Sequence, residues 1–290
     1  MSTTIDNTYI AEFNQYLRHL ASQEYARLTG TVETVNCGGE TYSFDRVGNK
    51  EASQKTTRAQ ATPITDYDFS RRTAIVKTFD CGELIEFEDQ IQAKVSISGG
   101  LVKEMAHSMA RAKDDEIIRA FGADAIDGDG TAVPFPSEQV LGDGSAPISF
   151  DFVTSVQERF LENDLQGEVR KYFVISPKQV RRLLQLTEQT SSDYVTREAL
   201  QKLQAGLIVP NWMGFTWICS TRLLAPTTGE IDCWAYTDRA IGLAMNRDTT
   251  TFLQQDPSRS YAYSLYSQST YGAVRVMDEH IVRCHLADTL

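Results

Sequence analysis

Leu101–Phe121, LVKEMAHSMARAKDDEIIRAF, constrains the fold of this chain more than any other stretch. Val102, Ala106, Met109, Lys113, Ile117 and Phe121 recur at steps of three or four, with Leu101, Met105 and Ala112 beside them. That is the period of an amphipathic helix. Ser98 is a candidate N-cap ahead of Gly99 and Gly100, and Gly122 suits a left-handed C-terminal position. Arg111, Asp115 and Arg119 form an i, i+4, i+8 ladder on the polar face, worth a few tenths of a kcal/mol per pair. At ~1.5 Å per residue the element is a rod of roughly 30 Å. A stripe built from Met, Ala and Ile reads as plain core, so the helix is a structural spine and not a cofactor box.

Around this spine the first third of the chain is extended. Tyr9–Thr29 carries a helical step ended by Gly30, and Thr31–Val35 and Thr41–Val47 read as strands around a Cys37-Gly38-Gly39-Glu40 turn. Gly48–Asp66 is almost free of large apolar residues and builds no core. Tyr67–Asp89 then alternates in the manner of a strand. On composition alone Gly48–Asp66 reads as a disordered surface loop; with the β-rich stretch after it, the pair resembles a long arm, one polar limb going out and one β limb coming back. Loops of this length inside a compact domain are uncommon and usually functional, and an arm without a core of its own finds one on another subunit.

After the spine, Ala123–Pro147 is a Gly/Pro/Asp-rich connection. Ser149 caps a helix running to Leu165, with Phe152, Val153, Val156, Phe160 and Leu161 on one face. Tyr172–Ile175 is a buried strand, Ser176-Pro177 opens another helix, and Thr196–Ala205 is a shorter one closed by Gly206. This alternation places a domain boundary near Gly167. Gly206–Leu224 reads as a central strand broken by Pro210 and Gly214, and Cys233–Met245 as another. Tyr261–Leu286 holds two strands joined near Ser269–Tyr271, with Val274, Val276, His280, Val282 and Cys284 on one face.

The net charge of −11 opposes tight, sequence-independent binding to nucleic acid, which needs clustered Lys and Arg. It does not oppose a wall that merely encloses nucleic acid. No run approaches the ~18 apolar residues of a membrane span, and MSTTIDNTYIAEF lacks the order of a signal peptide. The five cysteines are scattered and read as buried free thiols. Asp124, Asp127 and Asp129 invite a calcium loop, but alignment puts Ala125 first and Pro136 twelfth, so acidic turns explain them. His280, Cys284 and His285 on one strand would point to alternating faces, which argues against a metal set. No nucleophile elbow, Walker lysine or zincin motif occurs. The reading is no cofactor, no metal and no catalytic residue, although a dyad hidden among the carboxylates would not show in sequence.

The order of parts, with several phrases in it, resembles the tailed-bacteriophage major capsid proteins of the Hong Kong 97-type fold over nearly the whole chain. The phrases are Ala110-Arg111-Ala112-Lys113-Asp114-Asp115-Glu116-Ile117-Ile118, Val174-Ile175-Ser176-Pro177-Lys178-Gln179 and Gly214-Phe215. Asp238-Arg239-Ala240-Ile241-Gly242-Leu243-Ala244 and Tyr271-Gly272-Ala273-Val274-Arg275 complete them. The resemblance implies an α+β fold: an N-terminal arm (1–47), an extended β-hairpin E-loop (48–89), a peripheral domain with the spine helix (90–165), an axial domain (166–252) and C-terminal strands returning to the peripheral domain (253–290). It implies a subunit that assembles through pentamers and hexamers into an icosahedral shell around double-stranded DNA, built in a bacterial host's cytoplasm and ending in the virion. An encapsulin-like compartment shares the fold, and a cytosolic enzyme with an unrecognised site is the more distant alternative.

The short arm before Gly48 leads us to expect a separate scaffolding protein, with a portal and, in some relatives, a decoration protein as further partners. Lys50, Lys55 and Lys77 could serve covalent cross-linking, which most of the family lacks and which is not expected here. Arg71, Arg72 and Lys77 are expected to meet Glu83, Glu86, Glu88 and Asp89 of a neighbour. Exposed pairs contribute only ~0–1 kcal/mol each, so β pairing and apolar burial must carry assembly. The spine is expected to rest its stripe on strands around Val274–Cys284, to turn Arg111, Asp115 and Arg119 towards the interior or a neighbour, and to bend through its Met/Ala stripe as the shell matures.

Overall fold

The computed structural model describes residues 23–52, 54–58, 64, 66–85, 97–165, 169–185 and 211–288. Residues 9–22 of the N-terminal helix, the Thr196–Ala205 helix, the boundary near Gly167, and Glu86, Glu88 and Asp89 lie outside them. The described end of the first expected helix is not α-helical: it is irregular up to a 3-10 turn at Thr29–Thr31.

The spine, α1, runs from Ile97 to Gly122. Ser98 therefore lies inside the helix and does not cap it. Glycine's low helix propensity is a weak, local preference that tertiary context overrides, and Gly99 and Gly100 are accommodated. Gly122 is the last helical residue and has no left-handed conformation. Its Cα lies against the Trp234 ring, where a β-carbon would sit 3.2 Å from the indole.

Six strands make the largest sheet: β7 (Val140–Leu141), β8 (Lys171–Ile175), β9 (Asn211–Trp212), β10 (Phe215–Cys219), β11 (Glu230–Thr237) and β14 (Ile281–Ala287). Their order is β7-β14-β11-β8-β10-β9. KYFVI of β8 is buried throughout, as befits a strand flanked on both edges and covered on both faces. The expected strand break at Gly214 is a tight hairpin. Met213 and Gly214 both take positive φ (52° and 76°), and Trp212 pairs with Phe215 across them. Phe173 and Trp217 stack at 4.6 Å between neighbouring strands.

A second sheet has the order β2-β3-β5-β6, from Thr41–Val47, Phe69–Ile75, Ala125–Asp127 and Ala132–Val133. The supposed connection after the spine thus contains a hairpin. A third sheet has the order β1-β12-β13-β4, from Glu33–Asn36, Ile241–Asp256, Ala262–Arg275 and Lys77–Ile85. β1 and β2, read as neighbours around one turn, therefore belong to different sheets. The Cys233–Met245 stretch is two strands, β11 and β12, turning at residues 238–240. β13 runs straight through Ser269–Tyr271, and the turn to β14 comes at the 3-10 turn Asp278–His280.

Helices α2 (Phe150–Glu162) and α3 (Pro177–Leu184) start where serine permits. Ser149 accepts from the Phe152 amide and Ser176 from the Gln179 amide, with Pro177 in the first turn. Val153, Val156 and Phe160 are fully buried, whereas Leu161 is exposed and off the expected face. Replacing either serine by alanine should cost about 1 kcal/mol, measured by chemical denaturation of the subunit.

The chain divides into two compact units. One comprises Met1–Ala26, Thr78–Ala112 and Arg247–Thr270; the other comprises Arg27–Lys77, Lys113–Asn246 and Tyr271–Leu290. In the second unit Phe121 stacks on Trp234 at 5.5 Å and lies tilted against Tyr236 at 4.7 Å, and Lys113 lies over the Tyr271 ring. In the first, Ser269 donates to the Met109 sulfur. The helix so meets β11 and β13, where the sequence placed the strands around Val274–Cys284 beneath it.

Candidate assembly surface

β2 and β3 form one antiparallel hairpin, in register from Thr41↔Ile75 to Val47↔Phe69 and closed by the Gly48 amide donating to the Asp68 carbonyl. The polar stretch is thus the connection at the hairpin's end and not one of its limbs. The outgoing limb is β2, before Gly48. The returning chain leaves the hairpin after Ile75, and β4 joins another sheet.

The base of the hairpin is held by the rest of its unit. Phe44 and Ala74 are buried in a cluster with Ala125, Ala244, Val274 and Val276. The Phe44 ring lies where a Gly242 side chain would be, and the Ile75 carbonyl occupies the same place beside Gly272. Arg46 donates to the Val276 carbonyl at 2.9 Å and to Ser70 at 3.1 Å. Behind β3 lies a charged cluster. Asp278 accepts from Arg275 Nε at 2.5 Å and from Arg72 Nη2 at 3.1 Å. Arg275 has a fully buried side chain and also donates to the carbonyls of Ala123, Val133 and Pro134, with its guanidinium 5.0 Å from the Phe135 ring.

Towards its end the hairpin loses this cover. Val47 is 58% exposed and its cross-strand partner Phe69 is 75% exposed, with Tyr67 at 53%. These apolar side chains lie uncovered at the end of a two-stranded ribbon, and exposed apolar patches of this kind mark candidate interaction sites.

The residues expected to make inter-subunit contacts separate. Arg71 is exposed and pairs with Asp45 of its own hairpin at 2.6 Å. Its guanidinium pKa is raised by that hydrogen bond. Arg72, one residue on, points to the other face and is 4% exposed, bonded within the chain to Asp278. This corrects its assignment as a contact residue: alternation along β3 assigns adjacent arginines to opposite faces. Lys77 and Glu83 are exposed. Charge reversal at Arg72 should therefore unfold the subunit, while reversal at Arg71 should leave its melting temperature within about 1 °C, both read by thermal scanning of the unassembled protein.

The polar face of α1 also differs from expectation. Arg111 pairs with Glu104, Asp115 with Arg222, and Arg119 with Glu116, so the i, i+4 ladder does not form. Between them, Asp114 is 1% exposed and accepts from the backbone amides of Arg27 and Leu28, at 2.9 and 3.1 Å. Gln179 is equally hidden; it accepts from the Ile148 amide and donates to the Ala287 carbonyl at 2.6 Å, while its neighbour Lys178 pairs with Asp288. Arg275, Asp278, Asp114 and Gln179 were all missed as positioning residues. The sequence signal for Asp114, Gln179 and Arg275 was their place in the phrases Ala110–Ile118, Val174–Gln179 and Tyr271–Arg275; Asp278 lies outside all three.

His280 and Cys284 do not share a strand face: His280 sits in the turn and bonds Thr237, while Cys284 pairs in register with Cys233. His285 lies 2.8 Å from Asp232 and 3.3 Å from Glu230. Burial pushes the Cys233 thiol up to about 12 and the Cys284 thiol well up, which leaves both inert as nucleophiles. No group of three or more metal-ligating residues occurs among the described residues, and none of their helices is long and apolar enough to cross a membrane.

The comparisons agree with this architecture. The family model described as phage capsid protein matches residues 5–287. The capsid structure of the cyanophage P-SCSP1u superposes with a TM-score of 0.73 at 13% identity, over 100% of this chain and 96% of that one. The capsid of cyanophage Pam1 gives 0.74 at 12% identity, over 99% and 98%. A chain from Mycobacterium phage Che8 gives 0.70 at 16% identity, over 96% and 97%. No curated protein sequence matches.

The fold is the Hong Kong 97 type of tailed-phage shells, α+β with several sheets around few helices. The chain belongs to the phage capsid protein family and is a structural protein, the major capsid protein that forms a phage shell. The encapsulin-like alternative is not favoured.

Proposed function

We propose that this subunit assembles through pentamers and hexamers into an icosahedral shell enclosing double-stranded DNA, with the β2–β3 hairpin laid over a neighbouring copy. The observation that carries the reading is the burial gradient along that hairpin. Its base is packed at Phe44 and Ala74, and its end presents Val47, Tyr67 and Phe69 to solvent. A β-ribbon that exposes these side chains gains stability by covering them, at roughly 25 cal/mol per Å² of apolar surface buried.

The segment from 48 to 89 acts as the E-loop together with the strand that precedes it, α1 belongs to the peripheral domain, and residues 166–252 supply the axial domain. A net charge of −11 suits a wall that contains DNA without gripping it. The subunit has no enzymatic role. It works with a separate scaffolding protein and a portal, assembles in the cytoplasm of a bacterial host and resides in the virion, as the resemblance to tailed-phage shells implies. Expression with and without the scaffold tests the partner: the chain alone should give irregular or open assemblies, and uniform closed shells from the chain alone would remove the need for a scaffold.

A further inference from the structure

A groove of 550 Å³ lies beside the hairpin, lined by Asp45, Val47, Phe69, Arg71, Asp127 and Asp129 among others. Its floor is the exposed cross-strand pair Val47↔Phe69. Its walls hold three carboxylates against one guanidinium, and that guanidinium is already paired with Asp45. The far wall is the β5–β6 turn, fixed by the Gly130 amide donating to the Asp127 carbonyl and the Asp127 amide donating to the Thr131 carbonyl. The groove is therefore apolar below, acidic at its rim and rigid on both sides.

The outer part of the hairpin connection has the opposite character. Residues 49–58 hold Lys50, Lys55 and Arg58 against the single acid Glu51, in a chain that is acidic overall. Lys55 and Arg58 are exposed, and neither is among the residues that line the groove of its own chain.

We propose that this groove receives the outer hairpin connection of a second copy, with Lys55 and Arg58 set against Asp45, Asp127 and Asp129. The inference rests on the shell reading above and names the two surfaces that meet. Donor and receptor are different patches of one subunit, so the contact is heterologous. Such a contact repeated by rotation closes into a ring. Complementary charge sets register and suppresses wrong pairings more than it adds affinity, and covering Val47 and Phe69 supplies the apolar part.

Charge exchange tests it. The donor variant is Lys55→Glu with Arg58→Glu, the receptor variant is Asp45→Lys with Asp129→Lys, and the third chain carries all four substitutions. All positions are exposed, and each unassembled subunit should melt as the parent does. With scaffold present, the donor and receptor variants should each lose at least tenfold in particle yield, and the fourfold variant should recover most of it. A photo-crosslinker at position 55 should capture the peptide containing Asp127–Gly130 of a separate, isotope-labelled copy. Full yield from both partial variants overturns the proposal. So does loss in both without recovery in the fourfold variant, or capture elsewhere. If the parent chain forms no particles under the same conditions, the shell reading itself fails.

Discussion

Asp278→Ala should destabilise the folded subunit by about 3–5 kcal/mol, a large fraction of the ~5–15 kcal/mol that stabilises a typical native protein. Asp278 is the only carboxylate within hydrogen-bonding distance of either of two almost fully buried guanidiniums among the described residues. Arg275 keeps three carbonyl partners after the change, but Arg72 does not. Among the described residues its Nε and Nη1 have no hydrogen-bond partner, and Asp127 is 4.0 Å away. Removing the acid strands a buried charge, which costs far more than losing an exposed pair. The same cluster joins β3 to the turn before β14, so the hairpin's base should loosen with it. Asp278→Asn keeps one acceptor and should cost about half as much. Urea denaturation followed by tryptophan fluorescence is the measurement, since Trp212, Trp217 and Trp234 all lie in the six-stranded sheet of this unit.

Phe121→Ala should cost a similar amount, about 3–5 kcal/mol. The ring is wholly buried at the end of α1 and touches both Trp234 and Tyr236. Alanine leaves a void between helix and sheet that neither large aromatic can fill without moving off its rotamer. Leu161→Ala is the internal contrast: that side chain is 44% exposed, and its loss should fall within about 0.5 kcal/mol. Equal effects at the two positions would mean that α1 is not anchored through Phe121.

The comparison of these sites shows what local pattern carries. Helix starts were legible at Ser149 and Ser176-Pro177 because a cap is a contact within one turn. The spine was legible because its period persists over many turns, although its first turn was lost at Gly99-Gly100. Strand β2 was read to the residue, since Tyr42, Phe44 and Val47 lie between a glycine pair and a glycine. What failed depends on partners distant in sequence. Asp115 finds Arg222 and Asp114 finds Arg27 and Leu28, so the i, i+4 geometry of Arg111, Asp115 and Arg119 had no claim on them. Arginine is seldom fully buried, and nothing in the run YGAVR announces that Arg275 would be. The β11–β12 turn was hidden because Ala240 and Ile241 keep the stretch apolar through the reversal. Ser269–Tyr271, polar enough for a turn, lies within a strand.

The hairpin was legible in outline, but not which residues form its limbs or which face each arginine takes. A polar stretch followed by a β-rich one marked an arm, but its outgoing limb precedes the polar residues. Arg71 and Arg72 were read alike from composition, and the pleat of β3 separates them: one exposed and paired with Asp45, the other buried against Asp278.

Electron microscopy of particles made from this chain, co-expressed with the scaffolding protein proposed above, tests the shell reading most directly. Closed icosahedral shells are expected, with the β2–β3 hairpin of each copy seated on a neighbour and Val47 and Phe69 covered. A small, discrete oligomer under the same conditions, or shells in which the hairpin end remains bare, would contradict it.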